Sequence, residues 1–305
     1  MAYGNYTGKV IDITRFPHRW EDLRYADLSP AQTLDLYLPA EGDGPFPLIA
    51  LVHGGGWCSG SKRGTTMECV FRCLSQGFAL ASIEYRFATD APLPAMVHDV
   101  KAAIRYLRAH ASELRLAANC IVLWGNSSGG HVANMVAATG SHPGLVDDLA
   151  LGNAEQSSAV QGLISWYAPV DMLQLDLCDA LPPDENIRWL EPGAFDDATA
   201  TGLPTMQAIA IGCIPRFNPN AALAASPIEY VDTTFPPALF QHGCADPIIP
   251  FTQSVAMWKR VCDVCDPNRA KLELFDNATH GDPRIKAPDN IDRCLDFARR
   301  IAASD

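Results

Sequence analysis

A chain of 305 residues with 48% hydrophobic and 19% charged side chains has the composition of a folded globular protein, which excludes disorder and fibres. The net charge is −12, from 23 basic and 35 acidic residues, and no Lys/Arg run exists to displace counterions from a phosphate backbone, so no nucleic-acid partner is expected. No stretch approaches the roughly eighteen apolar residues of a membrane span, residues 1–8 lack the basic and apolar regions of a secretion signal, and the ten cysteines follow no regular spacing; a soluble, cytoplasmic protein with reduced thiols is expected.

Along the chain, residues 9–38 predict two or three antiparallel strands, with Thr33–Leu38 alternating at period two. Next come Leu48–Val52, Phe78–Ile83, Cys120–Trp124, Val160–Ile164, Ala238–Phe240 and Lys271–Phe275. They are short and almost continuously apolar, as strands buried on both faces of a parallel sheet are. Helices separate them. In 95–110, Val97, Val100, Ile104 and Leu107 recur at three or four residues, with Asp99, Lys101, Arg105 and Arg108 off that stripe. The fold class is therefore α/β, a mostly parallel sheet with helices on both faces, in one domain spanning 1–305. Residues 168–236 break the alternation with many prolines and few strand signals. They predict an insertion packed over the sheet's C-terminal edge, a candidate lid.

The strand Cys120–Trp124 leads straight into Gly125-Asn-Ser-Ser-Gly129-Gly130 and then an apolar helical pattern, placing G-x-S-x-G in strand–turn–helix context. Such a turn presents Ser127 at the sheet edge as a candidate nucleophile. The bland alternative, a phosphate-binding turn, would carry G-x-G-x-x-G or G-x-x-x-x-G-K-[ST], and neither is present. Upstream, Leu48–Val52 ends in His53-Gly-Gly-Gly-Trp57, whose glycines can aim backbone amides into a cleft where an oxyanion develops. Gly55 and Gly56 N–H, with the N–H of Ser128, form the expected oxyanion hole.

A serine at its ordinary pKa needs a histidine base and an acid that orients it, in the chain order Ser, acid, His. Asp246, after the strand Ala238–Phe240, and His280, after Lys271–Phe275, occupy the appropriate loops. Asp171, Asp276 and Asp282 are rival acids. Of the other histidines, His53 is read as bracing its glycine loop, His131 as pointing away from the catalytic edge, His242 as too early in order, and His18, His98, His110 and His142 as helix or surface residues. Trp57, Tyr85, Trp166 and Tyr167 follow core strands and are candidate substrate-binding residues beside their ordinary packing role. Cys262-x-x-Cys265 lacks a second pair or H-x-x-x-H, so no metal is expected, and no cofactor.

These residues resemble the α/β-hydrolase superfamily, and within it the hormone-sensitive-lipase-like and feruloyl-esterase-like (BD-FAE-type) bacterial carboxylesterases. The likeness runs from Thr33 to the C-terminal helix and rests on His53–Trp57, Ile83-Glu-Tyr-Arg86, the Asp99 helix, Gly125–Gly130, His242-Gly-x-x-Asp246 with Pro250, and His280-Gly281. It implies an α/β-hydrolase fold, a Ser127–Asp246–His280 triad and esters of short acyl chains or acylated sugars as substrates. Asn126-Ser127-Ser128 and a long proline-rich insertion depart from the common pattern. The expected partner is a small-molecule ester, with a homodimer left open. An amidase, formamidase or small peptidase on the same triad, or a non-catalytic binding homologue, is the alternative.

Overall fold

The computed structural model describes residues 8–179 and 205–303. Eight strands form one sheet in the order β1-β2-β4-β3-β5-β6-β7-β8: β1 is Arg19–Arg24, β2 Thr33–Tyr37, β3 Phe46–Val52, β4 Ala79–Ile83, β5 Leu116–Asn126, β6 Gly162–Trp166, β7 Ala238–Gly243 and β8 Ala270–Phe275. The pairs β1/β2 and β2/β4 are antiparallel and the other five are parallel. This is the α/β-hydrolase fold. The antiparallel start has two strands, with Val10 adding only an isolated bridge to Gly64.

Continuous apolar strands follow from a sheet covered twice. In β3, Leu48, Ala50 and Val52 join one core with Val97 and Ile104 of α1 (Ala95–Ala109) and Val132 of α2 (Ser127–Thr139). The alternate residues Ile49 and Leu51 join another, with Val70 and Phe71 of a 3-10 helix (Thr65–Gln76) and with residues of the last helix (Pro288–Ala302). Period two thus sends each strand into both layers.

Helix α1 departs from the expected amphipathic picture. Asp99, Lys101 and Arg105 lie off the apolar stripe but are fully buried. Arg86 and Gln32 bind Asp99, Lys101 donates to the carbonyls of Leu145 and Thr139, and Arg105 pairs with Asp147. The stripe marked the sheet side; the polar side is covered by neighbouring segments that supply partners for each charge.

The parallel register brings the functional loops together. Val52 pairs with Gly125, Asn126 with Trp166 and Gly243 with Phe275, so β3, β5, β6, β7 and β8 end along one edge. Between β3 and β5 the strand order reverses, because β4 lies on the far side of β3. Crevices in open α/β sheets form at such a reversal. In the expected insertion, the described parts carry α3 (Met172–Asp179), α4 (Met206–Ile211) and α5 (Pro219–Ala224); 180–204 lie outside the described residues. α6 (Thr252–Val264) and α7 (Pro288–Ala302) complete the chain. Among the described residues no helix is long and apolar enough to cross a membrane.

Candidate active site

β5 ends at Asn126 and α2 begins at Ser127, with no residue between them. Making that turn holds Ser127 at φ +52°, a left-handed conformation of the kind that costs a residue with a Cβ about 1–3 kcal/mol. Gly129, on the first turn of α2, packs against the end of β3: a Cβ there would lie 2.2 Å from the carbonyl oxygen of His53. The N-cap residue, Asn126, makes no side-chain cap. Its Oδ1 instead accepts the Gly54 N–H at 2.9 Å, and its Nδ2 donates to Tyr167 Oη at 3.4 Å. The turn is thereby fastened to the glycine loop.

His280 enters from the loop after β8. Its Nε2 lies 3.0 Å from Ser127 Oγ and its Nδ1 lies 2.7 Å from Asp246 Oδ2, on the loop after β7. The His280 side chain is 18% exposed and the Asp246 side chain 0%. Burial alone would raise the Asp246 pKa, but hydrogen bonds from His242 and His280, and from the Ile249 amide, outweigh it and hold the carboxyl well below the usual range. Both oxygens are engaged: Oδ1 accepts the amides of Ile248 and Ile249 at 2.8 and 3.0 Å. A carboxylate so held can fix Nδ1–H of His280, leaving Nε2 to accept a proton from Ser127.

The glycine loop is braced from below. His53 Nε2 meets Glu84 at 2.6 Å, Tyr85 Oη donates to the His53 carbonyl at 2.7 Å, and Glu84 also accepts the Lys62 amide. Gly55, at φ +137°, could hold no side chain, because a Cβ would lie 2.0 Å from the Ser59 carbonyl oxygen. The Gly54 amide is spent on Asn126, whereas those of Gly55 and Gly56 donate to no acceptor among the described residues. Ser128 is the second residue of α2, where an N–H has no acceptor within its own helix. These amides are available to an anion at the sheet edge.

The model of the BD-FAE family matches residues 34–261, from β2 into α6. The chain belongs to the BD-FAE family. Among relatives of this BD-FAE protein are the probable carboxylic ester hydrolase LipM of Mycobacterium tuberculosis, 26% identical over 76% of this chain and 49% of its own length, and esterase LipC of the same organism, 29% identical over 88% and 60%. The chain spans about half to three-fifths of the length of these curated relatives. A solved truncated form of a carbohydrate esterase from gut microbiota superposes with a TM-score of 0.81 at 27% identity, covering 97% of this chain and 100% of that one.

In the BD-FAE chain the expected serine, aspartate and histidine converge, but all four aromatic residues are buried, at 0–3% exposure. Tyr85 and Trp166 are 0% exposed and offer a ligand no surface; they are core, Tyr85 supporting the glycine loop and Trp166 packing edge-on against Trp124. Trp57 is almost buried, its Nε1 donating to His131 Nδ1. Tyr167 sets its ring edge against His280 at 4.6 Å between centroids. His131 does not simply point away: it ties Trp57 to the carbonyl of Ala225 in the insertion, donating from Nε2 at 2.8 Å. Of the rival acids, Asp282 pairs with Arg284 and Asp171 accepts the Gln174 amide. Cys262 and Cys265 hydrogen-bond to separate backbone carbonyls, and among the described residues no cluster of three His, Cys, Asp or Glu could hold a metal.

Sequence reasoning passed over His242 and Asn126. His242, buried, places Nε2 3.3 Å from Asp246 Oδ2. The i,i+4 spacing in His242-Gly-x-x-Asp246 was the available signal. Nothing in sequence marks Asn126 as a clamp, since Gly54 lies 72 residues away.

Proposed function

We propose that this BD-FAE protein is a serine carboxylesterase that hydrolyses short-chain acyl esters, acetylated or feruloylated sugars among them, through an acyl-enzyme. The observation that carries the reading is the continuous chain Ser127 Oγ to His280 to Asp246, at 3.0 and 2.7 Å, beside amides that have no acceptor among the described residues. The esterase names of LipM and LipC, and that of the carbohydrate esterase, support the bond and the sugar-ester class.

In this reading Ser127 attacks the ester carbonyl while His280 Nε2 takes its proton. Asp246 stabilises the imidazolium and remains ionised. Negative charge on the carbonyl oxygen settles against the amides of Gly55, Gly56 and Ser128, each such donor contributing about 2.7–4 kcal/mol to the transition state. His280 then protonates the departing alkoxide, and the same residues activate water to release the acid. The insertion acts as a lid: its Ala225 carbonyl is held by His131 of α2 and its Ala210 carbonyl accepts the amide of Leu93, just before α1. The described cysteines are all free thiols, in keeping with a reducing, cytoplasmic setting.

Labelling by a fluorophosphonate probe tests the assignment. Wild-type protein is expected to be labelled at Ser127 and to hydrolyse 4-nitrophenyl acetate; Ser127→Ala abolishes both. Hydrolysis unchanged in that variant would refute the reading, and faster turnover of a matched amide than of its ester would replace esterase by amidase.

A further inference from the structure

An open surface pocket of about 410 Å3 lies between the 3-10 helix Thr65–Gln76 and the start of α7, and none of the catalytic residues lines it. Its volume is that of a small-molecule site. Phe16, Phe71 and Ile291 give it an apolar lining. Three cations also face it, and they are not equivalent. Arg15 is neutralised by Glu68 at 2.7 Å and Arg72 by Asp292 at 2.6 Å, while Lys286 has no ion-pair partner among the described residues. Burial pushes the neighbouring Cys69 thiol up to about 11, so no thiolate competes for that ammonium near neutral pH. In a chain of net charge −12, this half-buried lysine, without an ion-pair partner among the described residues and beside apolar side chains, is a local positive centre.

Lys286 also reaches the loop that carries His280. A Cβ built on Gly281, next to His280, would lie 3.7 Å from Lys286 Nζ and 3.8 Å from Tyr167 Oη. Tyr167 in turn touches both His280 and Asn126.

We infer that this cavity binds a carboxylate carried on an apolar or aromatic body, with Lys286 pairing the carboxylate and Phe16, Phe71 and Ile291 receiving the body. The source of the ligand rests on the esterase reading: ester hydrolysis releases such an acid, and an ester bearing a remote carboxylate presents the same chemistry. Occupancy places a negative charge on the lysine whose Nζ lies beside Gly281, next to His280, and so bears on turnover.

Benzoate is the probe, titrated by calorimetry into Ser127→Ala protein, where no turnover interferes. Benzoate is expected to bind, benzamide to bind at least about tenfold more weakly, and Lys286→Met to lose about the same factor, as the loss of a charge-assisted contact requires. Ser75→Trp, which sets an indole over the pocket from an exposed position, should remove binding while circular dichroism remains native. No binding, or equal binding of benzamide or by Lys286→Met, overturns the proposal. Kinetics with wild-type protein separate the sources. If benzoate lowers kcat on 4-nitrophenyl acetate without raising KM, the site takes released acid. If 4-carboxyphenyl acetate has a higher kcat/KM than its neutral amide analogue, and Lys286→Met abolishes that preference, the site takes the substrate's own carboxylate. Lys286-dependent binding in a protein that hydrolyses no ester would sink the esterase reading and leave the site standing.

Discussion

His242 and His280 share one carboxylate oxygen: Nε2 of His242 lies 3.3 Å, and Nδ1 of His280 2.7 Å, from Asp246 Oδ2. His242 Nε2 also lies 2.9 Å from the Ile249 carbonyl, so both its neighbours are acceptors and this nitrogen carries the proton. Its Nδ1 is 2.7 Å from Ser254 Oγ, which fastens the ring to α6. With two amides on Oδ1, the carboxylate receives four donors and has one orientation. Removing His242 frees that orientation without touching Ser127. His242→Ala is therefore expected to lower kcat about 10- to 100-fold, the worth of one hydrogen bond to a charged group, with KM little changed. His242→Gln, whose amide can donate to the same oxygens, should recover most of it. Steady-state kinetics on 4-nitrophenyl acetate provide the check, and equal losses in both variants would assign His242 to packing alone.

The groups that act through the backbone's own periodicity were legible in sequence. Continuous apolar strands, G-x-S-x-G after Trp124 and His-Gly-Gly-Gly after Val52 state their local geometry, and parallel register then aligns strand ends that sequence can only place in order. Contacts between distant segments were hidden. The burial of Lys101 depends on the carbonyls of Thr139 and Leu145, and the burial of Trp166 on what covers the sheet's second face. An aromatic residue following a core strand reads the same whether it faces a cleft or the core. Asn126 looks like an ordinary helix cap until Gly54 is beside it.

That clamp makes a second prediction. Asn126→Ala leaves the part-buried Gly54 N–H without its acceptor and lets the glycine loop drift from Ser127, at a cost of about 1–3 kcal/mol. Activity should fall about 10- to 100-fold in kcat. Asn126→Asp keeps an acceptor for Gly54, and Tyr167 can donate to the carboxylate, so it should retain more activity than alanine. A kcat for Asn126→Ala within twofold of wild type would show that the loop needs no such tie.

Strain at Ser127 should be measurable as stability. At φ +52° a side chain costs about 1–2 kcal/mol that glycine does not incur, while glycine's greater freedom when unfolded returns about 0.5–1 kcal/mol of that gain. Ser127→Gly is expected to be inactive yet as stable as wild type or more so, by up to about 1 kcal/mol in urea unfolding. Ser127→Ala keeps the Cβ and should sit at the wild-type midpoint. A clearly destabilised glycine variant would mean that the turn carries no strain.

The last prediction concerns pH and turns on His131, which is fully buried between Trp57 and Ala225. Burial lowers its pKa from 6.5 to about 4, against the hydrogen bond to the Ala225 carbonyl, which favours the charged form. Between those values the unfolded chain binds a proton that the folded chain refuses, so stability rises with pH across the window and is lost as pH falls from about 6.5 towards 4. The full difference corresponds to about 3 kcal/mol. Burial shifts His98 in the same direction. Asp246, held below the ordinary carboxylate range, stays charged throughout this window, and its contribution is lost only as pH falls below about 4. His131→Gln can still donate to Ala225 and accept from Trp57 but cannot titrate. Its free energy of unfolding in urea, measured from pH 7 to pH 4.5, should fall by about 2 kcal/mol less than that of wild type. Parallel pH profiles for the two proteins would mean that His131 takes up its proton in the folded state as readily as in the unfolded one.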